Sequence, residues 1–513
     1  MNEPAPSPDR PPSSNRRALA KLAAGPAAAA AVAASIALAS PDAAPGVGRM
    51  AAVAVWMAVW WVTEAIPIPV TSLLPLVLLP LLGIQPIKEV APNYSASVIY
   101  LFLGGFMLAL GLQASGAHKR LALWIIHRVG DRPRQVVLGF MLASAFLSMW
   151  ISNTATVMVL MPIVLSVLQA VRERSEDLAA VQPLGVAAML GIAYAADIGG
   201  MATLVGTPPN LSYSRVLTTL FPDAPPPAFA EWLLLGLPLS TVFLALGWVL
   251  LTRVPSRLPN DRLIGGREVI AEMRKALGPI RRDEVMTCGV FGATALLWLT
   301  RGGASVPGWS HLPLFEAGYV DDAFVAVLMA ILLFVLPSAD RPGERLMEWR
   351  MTQELPWGML LLFGGGFALA AGFKASGLSA WVGGGLAALR GVSPLVVVSL
   401  VCVVLTGLTE LTSNTATTEM VLPILAEAGK ALGTDPRALM IPATLSASCA
   451  FMMPVASPTQ AIVFGSGWVP IKAMVRAGLW FNALGVLLVV VVFWALCGVT
   501  MGIDPAVVPD WAH

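Results

Sequence analysis

The sequence predicts an all-α integral membrane protein with about eleven transmembrane helices and two re-entrant helical hairpins, arranged as an inverted repeat. Composition and an internal repeat carry this prediction. Of the 513 residues, 57% are hydrophobic and only 12% are Asp, Glu, Lys or Arg, with a mean hydropathy of +0.76. A soluble domain carries about 25% charged residues, so a water-facing surface cannot be built here. Soluble enzymes, nucleic-acid binders and secreted disulfide scaffolds are excluded, and the net charge of +2 creates no field for polyanions.

The N-terminal segment is rich in Pro, Ser and Arg over residues 1–17, which predicts a disordered cytoplasmic tail. The apolar run 23–39 then follows basic residues and ends in small ones, as a cleaved signal peptide does. We expect this segment to be retained as the first span, with cleavage as the alternative. About 20 apolar residues cross a membrane, and such segments lie near 20–40, 50–66, 68–84, 97–117, 184–204, 231–252, 285–300, 321–337, 356–377, 436–455 and 478–498.

Two further apolar stretches, 136–172 and 393–430, are each interrupted in the middle by Ser-Asn-Thr. We interpret each as a re-entrant hairpin of two half-helices, because non-helical backbone survives at membrane depth only inside protein or beside a wet cavity. With a cytoplasmic N-terminus, most of the 32 Lys and Arg residues fall on cytoplasmic segments. The predicted organisation is scaffold helices at 18–96, a first repeat at 97–230, scaffold helices and a basic linker (253–284) within 231–355, a second repeat at 356–477, and a last span and C-terminus at 478–513.

An internal repeat recurs at an offset of 261 residues. Leu101–Gly116 matches Leu362–Gly377 at 11 of 16 positions, and the SNTAT of residues 152–156 returns at residues 413–417. A Gly-Thr-Pro beginning at Gly206 and an Ala-Ser-Pro beginning at Ala456 follow at an offset of 250. An odd number of predicted crossings separates the two units. They are therefore inverted across the membrane, as in many secondary transporters.

The triplets Ser152-Asn153-Thr154 and Ser413-Asn414-Thr415 are the candidate chemical centres. Ser, Thr and Asn cap helix N-termini, whose free N–H groups attract anions. The carbonyl groups that end the preceding half-helix suit a small cation. The alternative is that these polar residues only hold packed helices together. Proline at Pro208 and Pro458 breaks two further helices, where the alternative to a ligand-lining segment is a simple kink.

Few charges lie inside the apolar regions, namely Asp197, Glu410, Glu419 and, near a span end, Glu64. No Lys or Arg is close to either triplet in sequence, so either the ligand is not an anion or bound cations and helix dipoles neutralise it. Asp197 and Glu410 are candidate coupling groups, or alternatively paired structural residues.

Cysteine and histidine indicate no catalytic or metal site. The four Cys residues stand singly in apolar stretches and the four His residues are scattered, without HExxH or GxSxG. The sequence therefore predicts that the chain is not an enzyme and uses no organic cofactor.

The paired SNT triplets on inverted repeats, each followed by a proline-containing segment, resemble the divalent-anion/sodium symporter (DASS) family over residues 50–498. The resemblance implies a homodimer in the plasma (cell inner) membrane, with a fixed scaffold and a mobile transport domain working as an elevator. It implies transport of dicarboxylates, citrate or sulfate with sodium ions. The sequence departs from the family at Ser457-Pro458-Thr459-Gln460, where Pro-Asn is usual, and at Asp197, where a small neutral residue is expected.

Carried over to this sequence, the resemblance implies two sodium sites and one anion site. The first sodium site would comprise Ser148, Ser152, Asn153 and the backbone of Gly206, and the second Thr409, Thr412, Asn414 and the backbone of Ala456. The anion would meet Asn153, Thr154, Asn414 and Thr415, with Thr207, Pro208, Ser457 and Pro458 nearby.

The resulting prediction is a sodium-coupled symporter for small dianions, C4-dicarboxylates such as succinate, malate and fumarate first. Sodium would bind before the anion and supply the positive charge that the protein lacks. An anion exchanger or proton-coupled carrier on the same fold is the nearest alternative. A membrane enzyme acting on lipid or peptide lacks a nucleophile–base pair in the predicted spans, and a non-transporting sensor remains open.

Overall fold

A computed structural model describes residues 13–130, 132–174, 178–253, 258, 266–302, 308–316, 319–386 and 391–512. These residues form α-helices joined by turns, short 3-10 helices and one isolated β-bridge. The α-helices are α1 Ser13–Ala39, α2 Pro45–Thr63, α3 Ile68–Thr71, α4 Leu74–Leu81, α5 Ile87–Val90, α6 Ser97–Ser115, α7 Ala117–Val129, α8 Pro133–Ser148, α9 Asn153–Arg174, α10 Leu178–Gly200 and α11 Pro208–Leu220. The second half contains α12 Phe229–Arg253, α13 Gly266–Ala276, α14 Arg282–Thr300, α15 Asp322–Val335, α16 Trp357–Ser376, α17 Leu378–Leu386, α18 Pro394–Thr409, α19 Asn414–Leu432, α20 Pro436–Ala447, α21 Pro458–Gly465 and α22 Ile471–Met501.

The all-α integral membrane fold is as predicted, with a helix in each of the eleven predicted spans. Eight described helices are long and apolar enough to cross a membrane. Seven of them coincide with predicted spans, and the eighth is the α9 segment of the first hairpin. At 21 residues, that segment is long enough to cross by itself, so the re-entrant path and the number of crossings stay predictions.

Four predicted segments differ in detail. Helix α1 begins inside the predicted tail, because extending a formed helix adds one hydrogen bond for each residue fixed; residues 1–12 lie outside the described part. The predicted span 436–455 is helical only to Ala447, and 68–84 is split between α3 and α4. The predicted linker 253–284 contains α13, and residues 254–257 and 259–265 lie outside the described part.

The two repeats match helix by helix, from α6 with α16 through α12 with α22. Equivalent features end and interrupt the helices: Gly116 and Gly377 cap α6 and α16 with φ of 83° and 77°. Pro162 and Pro423 lie inside α9 and α19. The sequence repeat is therefore a structural repeat.

The repeats also exchange contacts reciprocally. Helix α9 packs on α21 of the other unit while α19 packs on α11, and α10 meets α21 while α20 meets α11. Such an exchange is what a two-fold axis between the units produces. Helices α10 and α20 are buried along most of their length, so the broken helices occupy the centre of the molecule.

Candidate functional site

The first hairpin turns between Ser148, where α8 ends, and Asn153, where α9 begins. Ser148 is fully buried, and its Oγ donates to Asn153 Oδ1 at 2.6 Å. The Ser152 hydroxyl accepts a capping bond from the Ala155 N–H at 3.3 Å. The sequence thus places a hydroxyl and an amide oxygen side by side at the tip, as predicted from the triplet.

Gly200 lies at the end of α10, opposite this tip. A Cβ atom at Gly200 would lie 2.9 Å from Asn153 Oδ1 and 3.0 Å from the Gly206 carbonyl oxygen. The absent side chain therefore leaves a cradle into which an amide oxygen and a main-chain oxygen converge. Hydroxyl, amide and carbonyl oxygens are hard ligands of the kind a small cation such as sodium takes.

The second hairpin repeats this arrangement. Thr409 ends α18 and is fully buried, and its hydroxyl lies 2.6 Å from Asn414 Oδ1 and 2.8 Å from the Ala447 carbonyl. The Thr412 hydroxyl bonds Leu408 O and Thr417 within the hairpin. Because the Thr412 hydroxyl is occupied by these bonds, the main-chain carbonyl of Thr412 is its oxygen that is available to a cation.

Two unwound segments, residues 201–207 and 448–457, connect the broken helices. Asn210 braces the first by donating to the carbonyls of Thr203 at 2.8 Å and Gly200 at 3.2 Å. Gln460, at the equivalent position of the second unit, donates to the Ala450 carbonyl at 2.9 Å. Helices α11 and α21 then begin at the two prolines, which lack the N–H that the first helical turn leaves unpaired.

Helices α9 and α19 begin in this region with unpaired main-chain N–H groups in their first turns, whereas α11 begins with two prolines that have no N–H. The Thr154 and Thr415 hydroxyls make no hydrogen bond within the described residues. Thr207 and Ser457 are buried directly before α11 and α21. The Ser457 hydroxyl bonds that of Thr459. The three threonine hydroxyls and the unpaired N–H groups are donors without a protein acceptor among the described residues, which is the chemistry that a carboxylate or sulfate requires.

Asp197 joins the two units. It is 2% exposed, and its Oδ1 accepts from Asn153 Nδ2 at 2.9 Å. Its Oδ2 accepts from Gln460 Nε2 at 2.9 Å and from the Thr459 hydroxyl at 3.1 Å. The carboxylate on α10 therefore fixes the amide of the first tip and holds the second unwound segment.

Glu410 anchors the second tip. The main-chain N–H groups of Phe451, Met452 and Met453 donate to its carboxylate at 2.7–3.1 Å, and Asn482 Nδ2 donates at 2.6 Å. A carboxylate that accepts several N–H bonds is well stabilised without a cationic side chain. This geometry favours the structural alternative for Glu410 over a coupling role.

Sequence reasoning missed the partners of both carboxylates. Thr459 and Gln460 were noted only as a departure from a family pattern, and Asn482 gave no signal at all. The offset of 250 that pairs Gly206 with Ala456 also pairs Asn210 with Gln460, and that pairing was the available signal. Among the described residues, no group of three His, Cys, Asp or Glu side chains is placed to hold a metal ion.

Comparisons with known proteins identify the relatives of this chain. The sodium:sulfate symporter transmembrane region family matches residues 24–500. The sodium-dependent dicarboxylate transporter SdcS of Staphylococcus saprophyticus is 39% identical over 457 residues, covering 88% of this chain and 86% of that protein. SdcS of Staphylococcus aureus is 40% identical over the same shares.

Solved structures are similar at the level of fold. The YdaH transporter of Alcanivorax borkumensis superposes with a TM-score of 0.56 at 16% identity, over 81% of this chain and 89% of that one. MtrF of Neisseria gonorrhoeae gives 0.55 at 14% identity, over 80% and 83%. The chain is a membrane transporter rather than an enzyme, and it belongs to the sodium:sulfate symporter family, the divalent-anion/sodium symporter group that its paired triplets resemble.

Proposed function

We propose that this protein is a sodium-coupled symporter that carries small dianions, C4-dicarboxylates such as succinate, malate and fumarate first, across the plasma membrane. The observation that carries the proposal is that, at each hairpin tip, hydroxyl and amide oxygens lie beside the unpaired N–H groups of a helix N-terminus and a threonine hydroxyl without a hydrogen bond in the described residues. The similarity to transporters named as sodium-dependent and dicarboxylate-carrying supports it.

The proposed sodium ligands are Ser148, Ser152, Asn153 and Gly206 in the first unit and Thr409, Thr412, Asn414 and Ala456 in the second. The proposed anion contacts come from Asn153, Thr154, Asn414 and Thr415, with Thr207, Pro208, Ser457 and Pro458 around them. Each asparagine presents its amide oxygen to the cation side, as the 2.6 Å contacts with Ser148 and Thr409 indicate. Cation binding thus orders the amide before the anion arrives.

Electrostatics favour cation coupling over anion exchange. Asp197 and Glu410 are buried, and neither has a Lys or Arg ion pair within the described residues. A dianion entering such a region without cations would meet an uncompensated negative potential. Bound sodium ions supply the missing charge.

The transport cycle would follow from the two-unit architecture. The two hairpins and the broken helices would move as a transport domain against a scaffold that includes the helices of residues 18–96 and 231–355. A homodimer with a cytoplasmic N-terminus completes the proposal, and the exposed apolar side chains of α14 and α22 would face lipid or the second subunit.

Uptake by proteoliposomes tests the function. Labelled succinate should accumulate under an inward sodium gradient, and replacing sodium with potassium at fixed pH should abolish accumulation. Malate and fumarate should compete more strongly than citrate or sulfate. Sodium-independent counterflow of succinate would instead identify an exchanger, and absence of any uptake or counterflow with all five anions would refute the proposal.

A further inference from the structure

Glu419 is a fully buried carboxyl group that neither the cation sites nor the anion site uses. It lies one helical turn after Thr415 on α19, and α19 packs on α11. Its partner, the fully buried Ser212, lies one turn after Pro208 on α11. The contact therefore lies directly behind the N-terminal ends of two helices that face the proposed anion site.

The hydrogen atoms available at this contact decide its protonation state. The Ser212 hydroxyl has one hydrogen but two acceptors, Glu419 Oε1 at 2.5 Å and the Pro208 carbonyl at 3.3 Å. Glu419 Oε2 is enclosed and has no donor among the described residues. It lies against Gly366 of α16, where even a Cβ atom would collide with it.

An ionised Glu419 fits this environment poorly. Ser212 would donate its only hydrogen to Oε1, so the Pro208 carbonyl would lose that donor. The charged Oε2 would accept no hydrogen bond. A buried carboxylate oxygen without a partner is costly. A neutral acid instead donates to Ser212 Oγ, which donates onward to the Pro208 carbonyl, and only an uncharged carbonyl oxygen is left without a donor.

Among the side chains that the structure describes, no cation forms an ion pair with Glu419. On the helices packed against α19, Arg437 pairs with Asp435, Lys374 donates to the Leu220 carbonyl and Arg49 donates to the Leu82 carbonyl. The charged or titratable groups on α19 and on the helices packed against it are Arg49, Tyr213, Arg215, Lys374, Cys402, Glu427, Lys430, Asp435 and Arg437. Within the described residues, none of them forms an ion pair with Glu419.

We propose that Glu419 is a proton-binding site, and that its neutral carboxylic acid links the second hairpin to α11 behind the anion site. Ionisation breaks the Glu419–Ser212–Pro208 chain and places a negative charge one turn from the anion. Proton binding and dianion binding therefore strengthen each other. This inference rests on the proposed function only for its transport readout.

Infrared spectroscopy tests the proton without any transport. Purified protein should show the carbonyl stretch of a buried neutral carboxylic acid, shifted on exchange into D₂O. Glu419→Gln should remove this band, and the control Glu427→Gln, on the same helix, should keep it. A spectrum in which E419Q and the parent retain the same acid bands would overturn the proposal.

The second readout is the KM for succinate, measured in proteoliposomes at saturating sodium between about pH 6.5 and pH 9, where succinate is a dianion. In the parent and in E427Q, the KM should rise with pH, approaching about tenfold per unit once Glu419 ionises. In E419Q, the glutamine amide donates to Ser212 in place of the neutral acid, so the KM should stay near its low-pH value at every pH.

Equal slopes of KM against pH in E419Q and the parent would refute the linkage. Absence of uptake in every variant would count against the proposed function, and the infrared band would still report the proton.

Discussion

The two hairpin tips carry the same Ser-Asn-Thr triplet but are tied to their unwound segments in different ways. In the first unit, the Thr203 hydroxyl donates one neutral bond to the Met149 carbonyl at 2.6 Å. In the second unit, Glu410 stands at the position equivalent to Met149, and its carboxylate accepts three consecutive main-chain N–H groups. The second tip is therefore tied to its unwound segment by a carboxylate, and the first is tied to its own by a single hydroxyl.

The helices behind the tips differ in the opposite sense. The first unit carries Asp197 on α10, where the second has Ala447 on α20. Asp197 accepts a hydrogen bond from the amide nitrogen of Asn153, whereas the amide nitrogen of Asn414 makes no hydrogen bond within the described residues. A duplicated motif thus gives two chemically unequal tips: the first asparagine amide meets a carboxylate, and the second remains a free donor among the described residues.

Breaking the anchor of the second tip should have the largest effect. Glu410→Gln removes the charge and replaces one acceptor oxygen with an NH₂ group, which then faces main-chain N–H donors that have lost their acceptor. Unsatisfied buried groups cost about 1–3 kcal/mol each, so the free energy of unfolding should fall by about 3 kcal/mol or more. Thermal denaturation of the purified protein measures this, with Thr203→Val as the matched break in the first unit, expected to cost only about 1 kcal/mol. Equal losses in both variants would erase the distinction.

The threonine hydroxyls test whether the anion uses both units. Thr154→Val and Thr415→Val keep the shape of the side chain and remove a donor. A hydrogen bond to a charged group is worth about 1.5–3 kcal/mol, so each change should raise the KM for succinate about tenfold or more. Uptake kinetics in proteoliposomes measure it. If the KM rises in only one variant, the anion contacts that unit alone. If the KM rises in neither variant, the anion contacts neither threonine.

Asp197 should make the proposed first cation site bind sodium more tightly than an uncharged residue would. Asp197→Asn keeps a polar group beside Asn153 and Gln460 but removes a buried charge, whose attraction for a nearby cation is worth on the order of 1 kcal/mol or more. The sodium concentration for half-maximal uptake should rise about tenfold. An asparagine can accept from only one of Asn153 Nδ2 and Gln460 Nε2, so the free energy of unfolding should fall by about 1–3 kcal/mol, and the sodium dependence is read on the folded protein. An unchanged sodium dependence would leave Asp197 a packing group.

The smallest change concerns the reach of one side chain. Gln460→Asn should retain the brace to Ala450, as Asn210 braces Gly200 in the first unit, but it is one methylene too short to reach Asp197. Loss of one hydrogen bond of about 1 kcal/mol should raise the half-maximal sodium concentration several-fold. In the Asp197→Asn background the same change should add little, because the charged acceptor is already gone.

The sequence determined the membrane fold, the duplicated unit and the positions of the two tips. Low charge excludes a water-facing surface, and Ser-Asn-Thr between apolar runs requires a helix to end and another to begin. The pairs Ser148–Asn153 and Thr409–Asn414 span five residues each, so local turn geometry brings them together without long-range contacts.

Only the tertiary structure decided which groups satisfy the buried carboxylates. Asp197 meets Thr459 and Gln460 from 262 and 263 residues away, Glu419 meets Ser212 across 207, and Glu410 meets Asn482 across 72. No local pattern encodes such pairs, because they depend on which faces of separate helices pack together. An isolated carboxylate in an apolar run has the same sequence appearance whether it binds a cation, holds a proton or accepts main-chain N–H groups. Those roles differ only in the partners that folding brings within about 3 Å.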